Sequence, residues 1–360
     1  MRLGIIGLPQ SGKTTIFNAL TRGDRPITTS GGRFDVHTAV VDVPDERVER
    51  LSTLYKPKKT VYAKVTYADI AGLDGSAGKS GFSGALLNQL SQMDGFLQVV
   101  RCFDDPNVAH PAGRVDSHRD ILTMDGELLL NDMIVVERKL ERLADERRKG
   151  GGREKALVDR EIALFERLNQ ALVEEMPLRR VQVNAEEEKI LSGFGLLTRK
   201  PMLILLNLSE GQPEPSKDEL MVGRIEETPC VYLQGKLEME IAQLPEEEAQ
   251  VFLADYGIDE PGLYRVIRLS YELLGLQSFF TVGPDEVRAW TLPCGATAYE
   301  AAGQIHSDLQ RGFIRAEVIS VEDLLLLGGL PEARAKGKLR LEGKEYIVQE
   351  GEVVHIRFNI

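Results

Sequence analysis

The stretch Gly7-Leu8-Pro9-Gln10-Ser11-Gly12-Lys13-Thr14 follows directly on the apolar run Leu3-Gly4-Ile5-Ile6. A glycine-rich turn between a buried strand and a helix start lets successive backbone N–H groups converge on a phosphate, and the helix end adds its positive dipole. The G-x-x-x-x-G-K-T spacing in that strand-then-helix frame is the signature of a loop that holds a nucleoside triphosphate. Lys13 in such a loop reaches the β- and γ-phosphates, which makes it a catalytic candidate as well as a binding one, and the Thr14 hydroxyl is a ligand for Mg²⁺. Pro9, Gln10, Ser11, Gly12, Lys13, Thr14 and Thr15 form the expected phosphate-binding set.

Further apolar runs at Val61–Tyr67, Phe96–Val100, Met202–Leu206 and Val231–Leu233 read as buried strands, with helical patterns separating several of them. That alternation predicts an α/β fold with a mostly parallel sheet covered on both faces. Ligands of such sheets sit beyond the carboxyl ends of the strands, where the phosphate loop, Asp69 and Asn207 all fall. Asp69-Ile70-Ala71-Gly72 places a carboxylate toward the Mg²⁺ and a glycine N–H toward the γ-phosphate, so Asp69 is a metal candidate and Gly72 a catalytic one. The next stretch, Asp74 to Gly81, is dense in glycine, and its order is expected to follow the γ-phosphate.

Leu73 stands where many GTPases carry a glutamine that orients the attacking water, and an alkyl group makes no such hydrogen bond. Either another residue positions the water or hydrolysis is slow. His110, just past a strand end, is a candidate, because imidazole accepts a proton near neutral pH. Asn207-Leu208-Ser209-Glu210 closes the fourth run where GTPases show Asn-Lys-x-Asp. Glu210 is one methylene longer than the guanine-reading aspartate, and Leu208 replaces the lysine that packs over the base. ATP is therefore expected ahead of GTP, with Asn207, Leu208, Glu210, Gln234 and Gly235 as base-side contacts; an ordinary turn at 234–236 is an equal alternative.

Between Leu128 and Arg180 long charged helices are interrupted by Gly150-Gly151-Gly152. Met133, Val136, Leu140 and Leu143 before the glycines, and Leu157, Leu164, Leu168 and Leu172 after them, keep helical steps, which predicts an antiparallel hairpin or short coiled coil inserted in the nucleotide domain, with one long helix carrying a flexible glycine break as the alternative. The Arg/Lys-rich stretch 138–153 is either a contact for an anionic partner or a solvated face, given the interspersed Glu141, Asp145 and Glu146. From about Gln277 the pattern turns strand-like: 279–283, 287–292, 345–348 and 353–358 read as strands, with a helix around 296–311. The expected domains are 1–125 with 181–276, the hairpin 126–180, and a β-rich module 277–360.

The formal charge of −12 argues against a protein that coats nucleic acid, and neither sequence-specific DNA binding nor membrane association is expected. Cys102, Cys230 and Cys294 are too scattered for a disulfide or zinc framework. A strand at the very start leaves no room for a signal peptide, and no apolar run approaches the ~20 residues of a membrane span, so the expected location is the cytoplasm.

The chain resembles the YchF branch of the Obg-related P-loop NTPases. The resemblance rests on Asp69-Ile70-Ala71-Gly72-Leu73, Val99-Val100-Arg101-Cys102-Phe103, Asn207-Leu208-Ser209-Glu210, Glu260-Pro261-Gly262-Leu263, Glu286-Val287-Arg288-Ala289-Trp290-Thr291, Arg311-Gly312-Phe313-Ile314-Arg315-Ala316 and the ending Phe358-Asn359-Ile360. It implies an inserted coiled coil, a C-terminal TGS domain with a ubiquitin-like β-grasp, ATP preference, slow intrinsic hydrolysis and association with the ribosome or its RNA and protein. The family's catalytic histidine falls on His110. Two departures stand out. Gln10-Ser11 replaces the family's Asn-Val, so potassium stimulation is not expected, and Arg33 falls where the first-switch threonine would meet Mg²⁺, with Thr38, Thr28 or Thr29 as substitutes or, alternatively, Arg33 itself pairing with a phosphate. Both fit a divergent paralogue. Alternatives to a slow ATPase are a GTP-preferring GTPase and a module that signals by nucleotide occupancy with negligible hydrolysis.

Overall fold

The first apolar run becomes β1 (Arg2–Ile6) of a computed structural model that describes residues 1–23, 36–70, 82–150, 152–214 and 228–359. With β2 (Val36–Asp42), β4 (Lys64–Ile70), β5 (Gly95–Arg101), β6 (Met202–Asn207) and β7 (Cys230–Leu233) it builds a sheet ordered β2-β4-β1-β5-β6-β7. β1 pairs in parallel with β4 and β5, β5 with β6, and β6 with β7. Every residue of β5 and β6 is buried, as a parallel strand covered on both faces requires. On one face Ile6, Ile70, Leu86, Leu90, Phe96 and Leu128 share a core. The expected run Val61–Tyr67 is not one strand: β3 (Lys59–Val61) ends before β4 begins, and the two join different sheets.

Two units emerge from the packing, residues 1–39 with 66–263 and residues 40–65 with 264–360. Within the first unit, α4 (Ser117–Lys149) and α5 (Lys155–Val173) form an antiparallel hairpin whose turn uses Gly150 and Gly152 at φ 74° and 81°. Val136, Leu143, Leu164, Phe165, Leu168 and Leu172 close its core. Leu157, expected in that stripe, is exposed, and Val158 is buried in its place. Val158 lies seven residues before the buried Phe165 and fourteen before Leu172, and so keeps their face of the helix, which Leu157 leaves by one residue. At the tip Arg147 pairs with Asp159, Arg148 and Lys149 with Asp145, and Arg153 with Glu146 and Glu161. The basic stretch is thus largely matched by its own carboxylates, as on a solvated face.

The second unit is a sheet ordered β11-β10-β12-β8-β9-β3, with β8 (Leu276–Thr281), β9 (Glu286–Pro293), β10 (Phe313–Ser320), β11 (Arg340–Glu342) and β12 (Glu352–Phe358). β12 and β8 are parallel while β8–β9 and β10–β12 are antiparallel, and Ala298, Ala301 and Ala302 of one helix pack on the sheet in the β-grasp manner. The helical stretch around 296–311 breaks at His306, whose extended backbone caps the second piece. Residues 345–348 form no strand, only a bridge from Ile347 to Thr297. Residues 40–65 complete this unit. β3 pairs with β9, Arg47 bonds Asp45 and Glu350, Arg50 bonds Glu322, and the Tyr55 hydroxyl accepts from the Leu330 N–H.

One buried carboxyl fastens the hairpin. Asp132 of α4 accepts from the N–H groups of Leu197 and Thr198 at 2.7 Å each and from the Thr198 hydroxyl at 2.6 Å, and that hydroxyl accepts from the Leu178 N–H. Burial pushes Asp132 up to about 6, against the lowering effect of these hydrogen bonds. A pKa raised on folding lends stability that is full below the unfolded value and lost as pH rises through the folded one, so the window runs from about pH 4 to about 6. Urea titrations across that window are expected to show parent stability falling relative to Asp132→Asn, by up to ~3 kcal/mol for a two-unit shift. Parallel curves for the two proteins would refute the assignment.

Candidate nucleotide-binding site

Between β1 and α1 (Lys13–Thr21) the loop backbone turns through left-handed conformations at Gln10 and Gly12, φ 61° and 95°. Gly7 and Gly12 are required by contact as well as by backbone angle. A Cβ at Gly7 would stand 2.3 Å from the Val99 carbonyl oxygen, and one at Gly12 would stand 2.3 Å from Asn207 Nδ2. No side chain of Gly12 caps α1, so the helix presents its first N–H groups to the loop, the arrangement that binds phosphate. Lys13 Nζ donates to the Gly7 and Leu8 carbonyls at 2.8 and 2.9 Å, folding the ammonium across the loop. Pro9 is half-buried, Gln10 exposed, and Thr15 half-buried on the first turn of α1.

The Thr14 hydroxyl donates to Asp69 Oδ2 at 3.3 Å, and Asp69 is buried near the end of β4. A hydroxyl and a carboxylate oxygen side by side are hard donors of the kind Mg²⁺ takes alongside phosphate oxygens and water. Gly72, Leu73, the 74–81 stretch, and Thr28, Thr29 and Arg33 lie outside the described residues.

Asn207 joins the two ends of the site. Its Nδ2 donates to the Ser11 carbonyl at 3.1 Å and its Oδ1 accepts from the Gly235 N–H at 3.0 Å. Gly235 fits because a Cβ there would meet Asn207 Oδ1 and Ile16 Cδ1 at 2.6 Å. Leu208 is buried, Gln234 is half-buried, and Glu210 is exposed beyond β6. The turn that carries Glu210 is pinned by Gln212, which accepts from the Ser209 N–H and donates to the Cys102 carbonyl. No motif marks Gln212, and sequence reasoning passed over it.

His110 is held by residues that the sequence reading also missed. Its Nδ1 accepts from the Ala112 N–H at 3.1 Å, so the neutral ring carries its proton on Nε2, which donates to Asp120 Oδ2 at 2.9 Å. Both side chains are about 95% buried. Arg119 grips the other oxygen of Asp120 through Nε and Nη2 at 3.0 and 2.7 Å. Asp120 sits in the first turn of α4, where an acidic residue reads simply as support for the helix dipole. Nearby, burial pushes the Cys102 thiol up to about 12 and that of Cys230 up to about 11, so neither is a nucleophile.

Residues 2–139 match the family described as "50S ribosome-binding GTPase", and residues 276–359 match the C-terminal domain of YchF-type GTPases, described as "Protein of unknown function (DUF933)". The chain is 42% identical over 366 residues to the ribosome-binding ATPase YchF of Bacillus subtilis, covering 99% of both chains. It is 34% identical over 376 residues to the Obg-like ATPase 1 of Caenorhabditis elegans, covering all of this chain and 92% of that one. The solved structure of the Schizosaccharomyces pombe YchF GTPase superposes with a TM-score of 0.86 at 33% identity, covering 99% of this chain and 97% of that chain. With its phosphate loop, its inserted hairpin and its β-grasp module all within that full-length match, the chain belongs to the YchF family of P-loop nucleoside triphosphatases.

Proposed function

We propose that this chain is a nucleotide-driven switch that binds ATP in preference to GTP together with Mg²⁺, hydrolyses it slowly on its own, and works with the ribosome in the cytoplasm. The Asn207 clamp carries the reading, because it makes the phosphate loop and the 234–235 segment one rigid receptor for both ends of a nucleotide. The base preference follows from Glu210 and Leu208: the longer carboxylate and the missing lysine fit guanine poorly, and adenine's 6-amino group and ring nitrogens fall to backbone groups, because the Asn207 amide, expected as a base contact, is engaged by Ser11 and Gly235. Thr14 and Asp69 would hold Mg²⁺, which supplies charge neutralisation across the β- and γ-phosphates. Full-length similarity to a ribosome-binding ATPase supports the ribosome as the partner. Among the described residues no helix is long and apolar enough to cross a membrane.

His110 is the proposed water-positioning group. In the arrangement described, Ala112 and Asp120 occupy both of its ring nitrogens, which leaves no lone pair for a water. Release from Asp120 frees the Nε2–H to donate to a water, while the Nδ1 lone pair becomes available only when the ring also leaves the Ala112 N–H. Slow turnover then reflects the time His110 spends turned away from these partners, and Asp120 with Arg119 acts as a restraint on the ring. The same engagement favours a second reading, in which His110 stays locked and occupancy alone carries the signal.

Calorimetric titration with slowly hydrolysed ATP and GTP analogues should give the tighter affinity for ATP; the reverse order would make the protein a GTPase. Lys13→Ala should weaken triphosphate binding by on the order of ten- to a hundredfold, the worth of a charge-assisted contact, and unchanged binding would refute the phosphate-loop assignment. Asp120→Asn should raise multiple-turnover phosphate release several-fold at unchanged ATP affinity, and adding His110→Ala should remove the gain. Equal rates in all three proteins would favour the occupancy reading.

A further inference from the structure

Behind the phosphate loop lies a cavity of about 10 Å³, whose walls include Leu8, Ser11, Gln98, Arg101, His110 and Asp120. Ser11 and Gln98 are 1% exposed and Arg101 3%. Each of these three carries one buried polar atom without a partner: Ser11 Oγ, Gln98 Oε1 and Arg101 Nη1. Elsewhere on the Arg101 guanidinium, Nε donates to the Phe103 carbonyl at 3.0 Å and Nη2 to the Val108 carbonyl at 2.8 Å. The backbone of Ser11 is engaged too, its N–H by Leu8 and its carbonyl by Asn207. The residues that line this small space thus carry a cationic donor, an amide acceptor and a hydroxyl that can play either part.

We propose that this cavity is a built hydration site, holding one water bound by Ser11, Gln98 and Arg101. The volume matches a single water, and internal waters typically make about three hydrogen bonds. The polarity selects water over ions. Arg101 Nη1 donates to the water oxygen, the water donates to Gln98 Oε1, and the Ser11 hydroxyl takes a third position. An anion would meet the carbonyl oxygen of Gln98, and a cation would meet the Arg101 guanidinium. The Ser11 side chain thus binds an internal water rather than a phosphate. That water ties the loop to β5, in a wall shared with the His110–Asp120 pair.

A crystal structure of the full chain at about 1.6 Å, with a parallel bromide soak, tests the site. One peak within hydrogen-bonding distance of all three atoms, ~2.6 to 3.2 Å, and free of anomalous signal, is expected. A dry cavity, three atoms re-paired with one another, or a bromide peak in the space would overturn the proposal. Thermal melts of Ser11→Val, Gln98→Leu and the double variant give a second test that does not depend on crystals. Because one water is lost only once, the double variant should melt well above the temperature that summed losses would give, whereas additive losses would contradict a shared ligand.

Discussion

Everything at the nucleotide site depends on a backbone turn held in shape by one buried amide. A phosphate loop works only if its N–H groups converge, and the turn takes positive φ at Gln10 and Gly12, which glycine accepts freely and which costs energy at Gln10 that local sequence does not repay. Asn207 supplies the constraint from the end of the neighbouring strand, with its donor on the Ser11 carbonyl and its acceptor on the Gly235 N–H. Both contacts are buried, so losing one would leave a polar group unsatisfied at a cost of about 1–3 kcal/mol. The glycines at 12 and 235 follow from the same requirement, since a Cβ at either position would collide with this side chain. In a motif usually read for its contacts to the base, the asparagine here has a structural task first.

The parallel sheet, the glycine turn of the hairpin and the meeting of loop, Asp69 and Asn207 were legible because each leaves a periodic or fixed-spacing trace. Runs that are apolar except at Gln98, Arg101 and Asn207 mark β5 and β6, and the glycine pair at 150 and 152 marks the reversal. The places where reading failed have a common cause, which is long-range packing with no local pattern. Val61 to Tyr67 reads as one β-prone run, yet the two ends pair with different sheets, and nothing local says that residues 40–65 belong with a module that begins more than two hundred residues later. Tyr346 and Ile347 look strand-like, but their neighbours close a loop instead of a ladder. Asp120 was hidden by a simpler explanation, its place in a helix first turn, and Gln212 by having no motif at all.

Those hidden residues give α4 a second role beyond the hairpin. A helix of 33 residues is about 50 Å long, and its ends are joined by continuous hydrogen bonding. Its first turn is fixed by the Asp116 cap on Arg119 and holds His110 through Asp120. Its middle is fastened to the 197–198 turn by Asp132, and its far end carries the hairpin tip. The hairpin tip and the group that holds the histidine thus belong to one helix, with the Asp132 fastening between them. The strength of that fastening matters more than its mere presence. Two backbone N–H groups and one hydroxyl converge on Asp132 and bond its charged form most strongly, while burial opposes that charge and raises its pKa, so the fastening and the cost of ionisation are set against each other at one carboxyl.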